Sequence, residues 1–169
     1  MSTSKISAIR GGSFGTVIAN ISAENGYDVN FWMRNKSQAE QLNSTRENSQ
    51  YLPDYQLNER IFATSNMAAA VNDCGLIFVA VPSSSFRQVV RDMVPHLAEN
   101  TVLVSTTKGI ESGSFDLMTQ ILHQEAPNAK VGVLSGPNLA VEIAKKDLTG
   151  TVIASPDEQV RELVKSALK

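Results

Sequence analysis

Three groups of residues have types and spacings suited to chemistry. The first is the run Ile9-Arg10-Gly11-Gly12-Ser13-Phe14-Gly15. A turn that seats a dinucleotide's diphosphate wants glycines at its first, third and sixth positions. The first makes the turn tight, the second lets backbone approach the diphosphate, and the third lets helix and strand pack closely. Gly12 and Gly15 fill the second and third places, while Arg10 takes the first. The amides of Ser13 and Phe14 would face an anion from a helix N-terminus, where peptide dipoles favour negative charge. The second group is Thr107-Lys108-Gly109, just past an apolar run. A lysine there projects from the carboxyl edge of the sheet, where its ammonium can stabilise developing negative charge. The third is Gly136-Pro137-Asn138, read as the opening of a helix. Glycine allows close approach there, proline suits the first turn, and free amides favour an anion or a polarised hydroxyl.

Two basic side chains refine the first reading. Arg10 is expected to crowd the turn and weaken dinucleotide binding, because the turn has little spare volume. The opposite reading is a guanidinium that pairs with the diphosphate. Arg34 and Lys36 stand where an NAD-specific site places Asp or Glu to hold the ribose 2′-hydroxyl. Arg34 suits a 2′-phosphate instead, so NADPH is expected over NADH, which stays the second candidate.

Other chemistries are poorly supplied. Cys74 is the only cysteine among 169 residues, so neither an intrachain disulfide nor a multi-thiolate metal site can be built. His96 and His123 lie in predicted helices without a second ligand at metal spacing, and no metal is expected. Ser83, Ser84 and Ser85 lack the flanking glycines of a nucleophile turn and read as a helix start. A net charge of −2 and a pI near 5.7 argue against nucleic acid as a partner. Met1 to Lys5 shows no leader-like apolar segment, and the longest apolar run, Leu76 to Pro82, is too short for membrane insertion.

The elements that must hold these groups alternate. With 42% hydrophobic and 19% charged residues, the chain can bury a core. Strands are expected at Ile6–Ile9, Asp28–Trp32, Ile61–Ala63, Leu76–Val81, Thr101–Ser105, Val131–Leu134 and Gly150–Ala154. Helices are expected at Ser13–Asn25, Ser37–Arg46, Ser65–Asn72 with Ser65 as cap, Ser84–Leu97, Ser114–Glu125, Leu139–Lys145 and Asp157–Leu168. Met67–Ala70 reads as a packing face. Ser49–Arg60 shows no helical period and reads as a structured loop. The pattern predicts an α/β fold: a doubly wound, mostly parallel sheet with helices on both faces. Ligands then bind beyond the carboxyl ends of the strands.

Six segments in order carry a resemblance: Ile9–Thr16 (IRGGSFGT), Phe31–Asn35 (FWMRN), Tyr51–Pro53 (YLP), Val81–Ser83 (VPS), Thr107–Gly109 (TKG) and Leu134–Ala140 (LSGPNLA). Together they resemble the bacterial-type NAD(P)-dependent glycerol-3-phosphate dehydrogenases, over almost the whole chain. The resemblance implies a Rossmann domain over residues 1–169, with an all-helical substrate domain to follow. It implies hydride transfer between dihydroxyacetone phosphate and sn-glycerol 3-phosphate, in the cytoplasm, for glycerophospholipid synthesis. Ser13, Phe14, Arg34 and Ala140 match the family's cofactor positions. Lys108 matches a lysine touching both cofactor and substrate, and Gly136 and Asn138 match substrate positions.

Departures are equally plain. Arg10 replaces a glycine, Ser84 a common histidine, Val141 a common lysine, and Asn138 a commoner threonine or serine. The family's general acid or base lysine would lie beyond Lys169, so this chain is expected not to turn over alone. A homodimer is left open. Two alternatives stand: the cofactor domain of a related 3-hydroxy-acid or nucleotide-sugar dehydrogenase, and a non-catalytic nucleotide-binding module.

Overall fold

A strand that is apolar at every position must be covered on both faces. In the computed structural model, which describes residues 5–169, Leu76–Val79 (β6) is such a strand. Leu76 and Phe78 enter one buried cluster, and Ile77 and Val79 enter the other. The period of two thus splits one apolar run between two cores. The reading of Met1 to Lys5 as lacking a leader concerns residues 1–4, which lie outside the described residues.

The other strands flank it. They are β1 (Lys5–Ile9), β2 (Asp28–Trp32), β5 (Ile61–Thr64), β7 (Val102–Ser105), β8 (Lys130–Ser135) and β9 (Val152–Ala154). The sheet has seven strands in the order β5-β2-β1-β6-β7-β8-β9. Every pairing is parallel except β8 with β9. The alternation of elements predicted this mostly parallel sheet; the antiparallel last pair follows from a connection that only doubles back.

One face carries α1 (Ser13–Glu24), α2 (Lys36–Thr45) and α7 (Glu158–Ala167), through Ile18, Ala19, Leu42, Val160 and Val164. The other carries α3 (Met67–Val71), α4 (Ser83–Met93) and α5 (Met118–Glu125), through Val71, Phe86, Val90, Ile121 and Leu122. A fully buried side chain of this kind contributes about 1.5–3 kcal/mol. Short α6 (Ala140–Ala144) has no buried residue. Cys74 is buried beneath α3, and burial pushes its thiol up to about 11.

From β1 the chain winds outward through β2 and β5, then returns to place β6 on the opposite side of β1. This reversal opens a crevice beyond the carboxyl ends of β1 and β6, the place where ligands bind in such sheets.

Four expectations need correction. Ser49–Arg60 is not simply loop: β3 (Glu47–Asn48) and β4 (Leu52–Gln56) pair antiparallel as a separate two-stranded sheet. Its side chains do not alternate cleanly between buried and exposed, so no strand period is visible. The cap of α3 is Asn66, not Ser65; its side chain accepts from the Ala69 amide. Residues 114–117 are not helical, because Phe115 has φ +62 and Ile110 bridges Leu117 antiparallel before α5 begins. His96 sits in a single 3-10 turn rather than in α4, since Pro95 supplies no amide to the α-helical ladder.

Candidate functional site

The turn between β1 and α1 is fixed from both sides. The Arg10 amide donates to the Trp32 carbonyl at 2.9 Å, continuing the β1–β2 ladder. A Cβ on Gly15 would lie 2.2 Å from the Arg10 carbonyl oxygen, so only glycine permits this strand-to-helix approach. Arg10 itself has φ +100, a region that L side chains rarely adopt. The strain costs about 1–3 kcal/mol. A tight turn needs glycine geometry at its first position whichever residue is there.

Helix α1 begins at Ser13 without a side-chain cap, and no acidic residue stands in its first turn. Its leading amides are the orphans every helix leaves, and Ser13 and Phe14, which carry two of them, line the crevice. Gly12, the cap residue, has extended backbone and only Arg10 Nε near the place a Cβ would occupy, at 4.0 Å.

Two clefts meet here. One, of about 380 Å³, is lined by Arg10, Ser13, Phe14, Lys108, Asn138 and Ala140, among others. The second, of about 630 Å³, is lined by Arg10, Gly11, Trp32, Arg34, Tyr51 and Ser84, among others. Arg10, Val81 and Pro82 belong to both. The first cleft therefore gathers Ser13, Phe14, Lys108, Asn138 and Ala140 into one wall. Arg34 faces the second cleft, exposed, while Lys36 is engaged with Glu40 at 3.6 Å.

Lys108 projects past the end of β7. Its Nζ donates to the Gly136 carbonyl at 3.2 Å and lies 3.5 Å from Asn138 Oδ1. Asn138 is buried, and its Nδ2 donates to Thr151 Oγ1 at 3.0 Å. Gly136 has φ +149, and a Cβ there would strike the Gly150 carbonyl oxygen at 2.3 Å. Gly136 thus lets the β8 end and the approach to β9 close on each other, which delivers Asn138 to Lys108. Lys108, Gly136 and Asn138 are brought together as one group.

The helix-opening reading of Gly136-Pro137-Asn138 is corrected. α6 starts only at Ala140, and the Asn138 amide is not free, because it donates to the Gly136 carbonyl at 2.9 Å. Five residues also make too short a helix to serve as an anion seat. What the segment offers is a carbonyl and a side-chain amide that orient Lys108.

Two groups of supporting residues escaped the sequence reading. Asn48 on β3, 2% exposed, donates to the Gly11 carbonyl at 2.9 Å and to Thr16 Oγ1 at 2.8 Å. Thr16 Oγ1 donates in turn to the Gly12 carbonyl at 2.8 Å. These bonds hold the turn's carbonyls inward and leave its amides for the crevice. Ser13 Oγ donates to the Tyr51 carbonyl at 2.8 Å, tying the YLP segment to the same turn. The only warning in the sequence was asparagine in a stretch without period, which is common in loops.

The second group anchors the segment after Lys108. Arg87 on α4 donates to Glu111 at 2.8 and 2.6 Å and to Asp116 at 3.2 Å, and it also pairs with Glu125. The Arg87 guanidinium, with help from the Ser114 hydroxyl, holds the Glu111 carboxyl down at about 2. Thr107 Oγ1 donates to the Val81 carbonyl at 2.6 Å on the crevice side. Lys108 is thereby held between two anchored neighbours.

Among the described residues, no three His, Cys, Asp or Glu side chains are grouped to hold a metal ion, and no helix is long and apolar enough to cross a membrane.

Residues 5–161 match the model of the family described as NAD-dependent glycerol-3-phosphate dehydrogenase N-terminus. Curated relatives include a glycerol-3-phosphate dehydrogenase [NAD(P)+] of Teredinibacter turnerae, 50% identical over 92% of this chain and 46% of its own length. The enzyme of the same name from Azotobacter vinelandii is 50% identical over 96% of this chain and 48% of its own. The chain spans about half the length of the curated relatives it matches. A crystal structure of glycerol-3-phosphate dehydrogenase from Coxiella burnetii superposes with a TM-score of 0.93 at 28% identity, covering 99% of this chain and 51% of that one.

Proposed function

This chain belongs to the family of N-terminal domains of NAD-dependent glycerol-3-phosphate dehydrogenases, and from that premise we propose that it seats NADPH in the crevice and presents its nicotinamide to dihydroxyacetone phosphate beside Lys108. The observation that carries the reading is the meeting of two clefts at the uncapped start of α1, with Lys108, held by the Gly136 carbonyl, and Asn138 on the wall of one and Arg34 on the wall of the other.

The residues fit such a group. Gly12 leaves the backbone open to a diphosphate, Gly15 brings the helix N-terminus close, and the Ser13 and Phe14 amides point where an anion is favoured. Arg34 supports the 2′-phosphate assignment, because a guanidinium offers paired donors matched to phosphate oxygens. Ala140, at the start of α6, lines the same cleft as Lys108 and would border the nicotinamide there. NADH is the second candidate.

When bound, the dinucleotide supplies the hydride that reduces the ketone. The protein's own part is orientation and charge. Lys108 has two of its three N–H directions occupied by Gly136 and Asn138. The third is left for a substrate oxygen, where an ammonium stabilises the negative charge that grows as the carbonyl is reduced. Gly136 and Asn138 hold the lysine and border the substrate. Lys108 is assigned charge stabilisation and positioning, not proton transfer. We place the reaction in the cytoplasm, in glycerophospholipid synthesis, with sn-glycerol 3-phosphate as product and no nucleic-acid partner; a homodimer is the simplest assembly.

Calorimetric titration of the chain with NADPH and NADH tests the cofactor assignment. Binding of NADPH at lower concentration than NADH is expected, and absence of heat with both would overturn it. An assay of an active enzyme carrying this domain, with dihydroxyacetone phosphate, tests the substrate.

A further inference from the structure

Arg10 occupies the ridge between the two clefts and lines both. A diphosphate that joins the two halves of a dinucleotide must cross this ridge. Beyond Gly12 and its chain neighbours, the heavy atom within 4 Å of the position a Cβ would take on Gly12 is Arg10 Nε, at 4.0 Å. Gly12 is the residue whose bareness lets backbone and diphosphate meet. The arginine side chain therefore reaches van der Waals distance of the seat that the missing side chain of Gly12 leaves open.

The backbone at Arg10 cannot shift to clear it. Its amide is bound to the Trp32 carbonyl, its own carbonyl abuts Gly15, and φ is fixed at +100. Only rotation of the side chain can uncover Gly12. Nothing anchors the guanidinium where it is, since no carboxylate among the described residues lies within ion-pair distance of it. Once swung aside it would sit in an open cleft, where water and salt leave an ion pair little strength. Seating a dinucleotide then restricts a side chain that is otherwise free to rotate, and the lost rotamer freedom opposes binding.

We infer that Arg10 is a side-chain gate over the diphosphate seat, displaced each time a dinucleotide enters, which keeps the affinity of this turn below what Gly12 and Gly15 would otherwise give. The inference rests on the dinucleotide reading above.

The test is calorimetric titration of NADPH into the 169-residue chain and its Arg10→Gly and Arg10→Ala variants. Alanine keeps a side chain at the strained φ but removes the cover; glycine removes both. Both variants are expected to bind roughly tenfold more tightly, with the gain unchanged in high salt. Equal or weaker binding by both overturns the gate, because the guanidinium is then neutral or helpful. A gain confined to Arg10→Gly also overturns it and assigns the effect to backbone strain. If none of the three proteins binds NADPH, the dinucleotide reading itself fails, and the gate with it.

Discussion

The Asn48 side-chain amide and the Thr16 hydroxyl lie 2.8 Å apart, joining the small antiparallel sheet to the first turn of α1. The same amide reaches the Gly11 carbonyl at 2.9 Å. One buried side chain therefore sets the carbonyls of the glycine turn, and with them the direction of its free amides. Asn48→Ala strands two buried acceptors and is expected to destabilise the chain by about 1–3 kcal/mol. Urea unfolding measures this, and NADPH titration of the folded variant should show weaker binding. Unchanged affinity would mean that the turn holds its shape without Asn48.

Gly15 admits no side chain. A Cβ there would meet the Arg10 carbonyl oxygen, which the β1–β2 ladder holds in place. Gly15→Ala is expected to cost about 2 kcal/mol or more, as overpacking against backbone does. The readout is the urea midpoint, and a loss under half that size would show that β1 and α1 can separate easily.

Arg10→Gly should raise stability as well as affinity. Relief of about 1–3 kcal/mol of strain is offset by about 0.5–1 kcal/mol of glycine's backbone entropy. A net gain of about 1 kcal/mol corresponds to a melting-point rise of about 2–4 °C in a domain of this size. A fall in melting temperature would show that the arginine makes compensating contacts.

The Arg87 cluster predicts acid sensitivity. Glu111 titrates at about 2 in the folded chain against an ordinary value of 4.5, and Glu125 is also lowered, by Arg91 first and then Arg87. A carboxyl depressed by folding contributes stability that is fully present above its unfolded value and lost as pH falls through its folded one. The melting temperature should therefore decline between about pH 4.5 and 2. In Arg87→Met this part of the decline should flatten; an unchanged acid limb would remove the cluster from the account.

The proposed function assigns Lys108 to chemistry and Arg34 to recognition. In an active enzyme carrying this domain, Lys108→Met is expected to lower kcat about 10²–10³-fold, the loss typical of a missing charge-stabilising donor. Arg34→Ala should raise the KM for NADPH while leaving that for NADH nearly unchanged. Equal effects on the two cofactors would dissociate Arg34 from the 2′-phosphate.

Much of this was legible in the chain itself. The unbroken apolar run of β6 and the 3.6 period of α4 are local properties, so the parallel sheet and its two helical layers could be written down from residue order. Gly12, Gly15, Lys108, Gly136 and Asn138 could be singled out because each sits just beyond a strand end, where this fold gathers function. The extra strand pair, the buried Asn48 and the Arg87 cluster could not, since each depends on partners distant in sequence and leaves no periodic trace. Arg10 divides the two cases: its mismatch with a glycine position was visible at once, but that its side chain comes within 4.0 Å of the Gly12 Cβ position follows only from a backbone clamped between the Trp32 carbonyl and Gly15. Residue order set the elements and their ends; packing between distant segments set where each side chain lies, because that direction depends on atoms the local sequence does not contain.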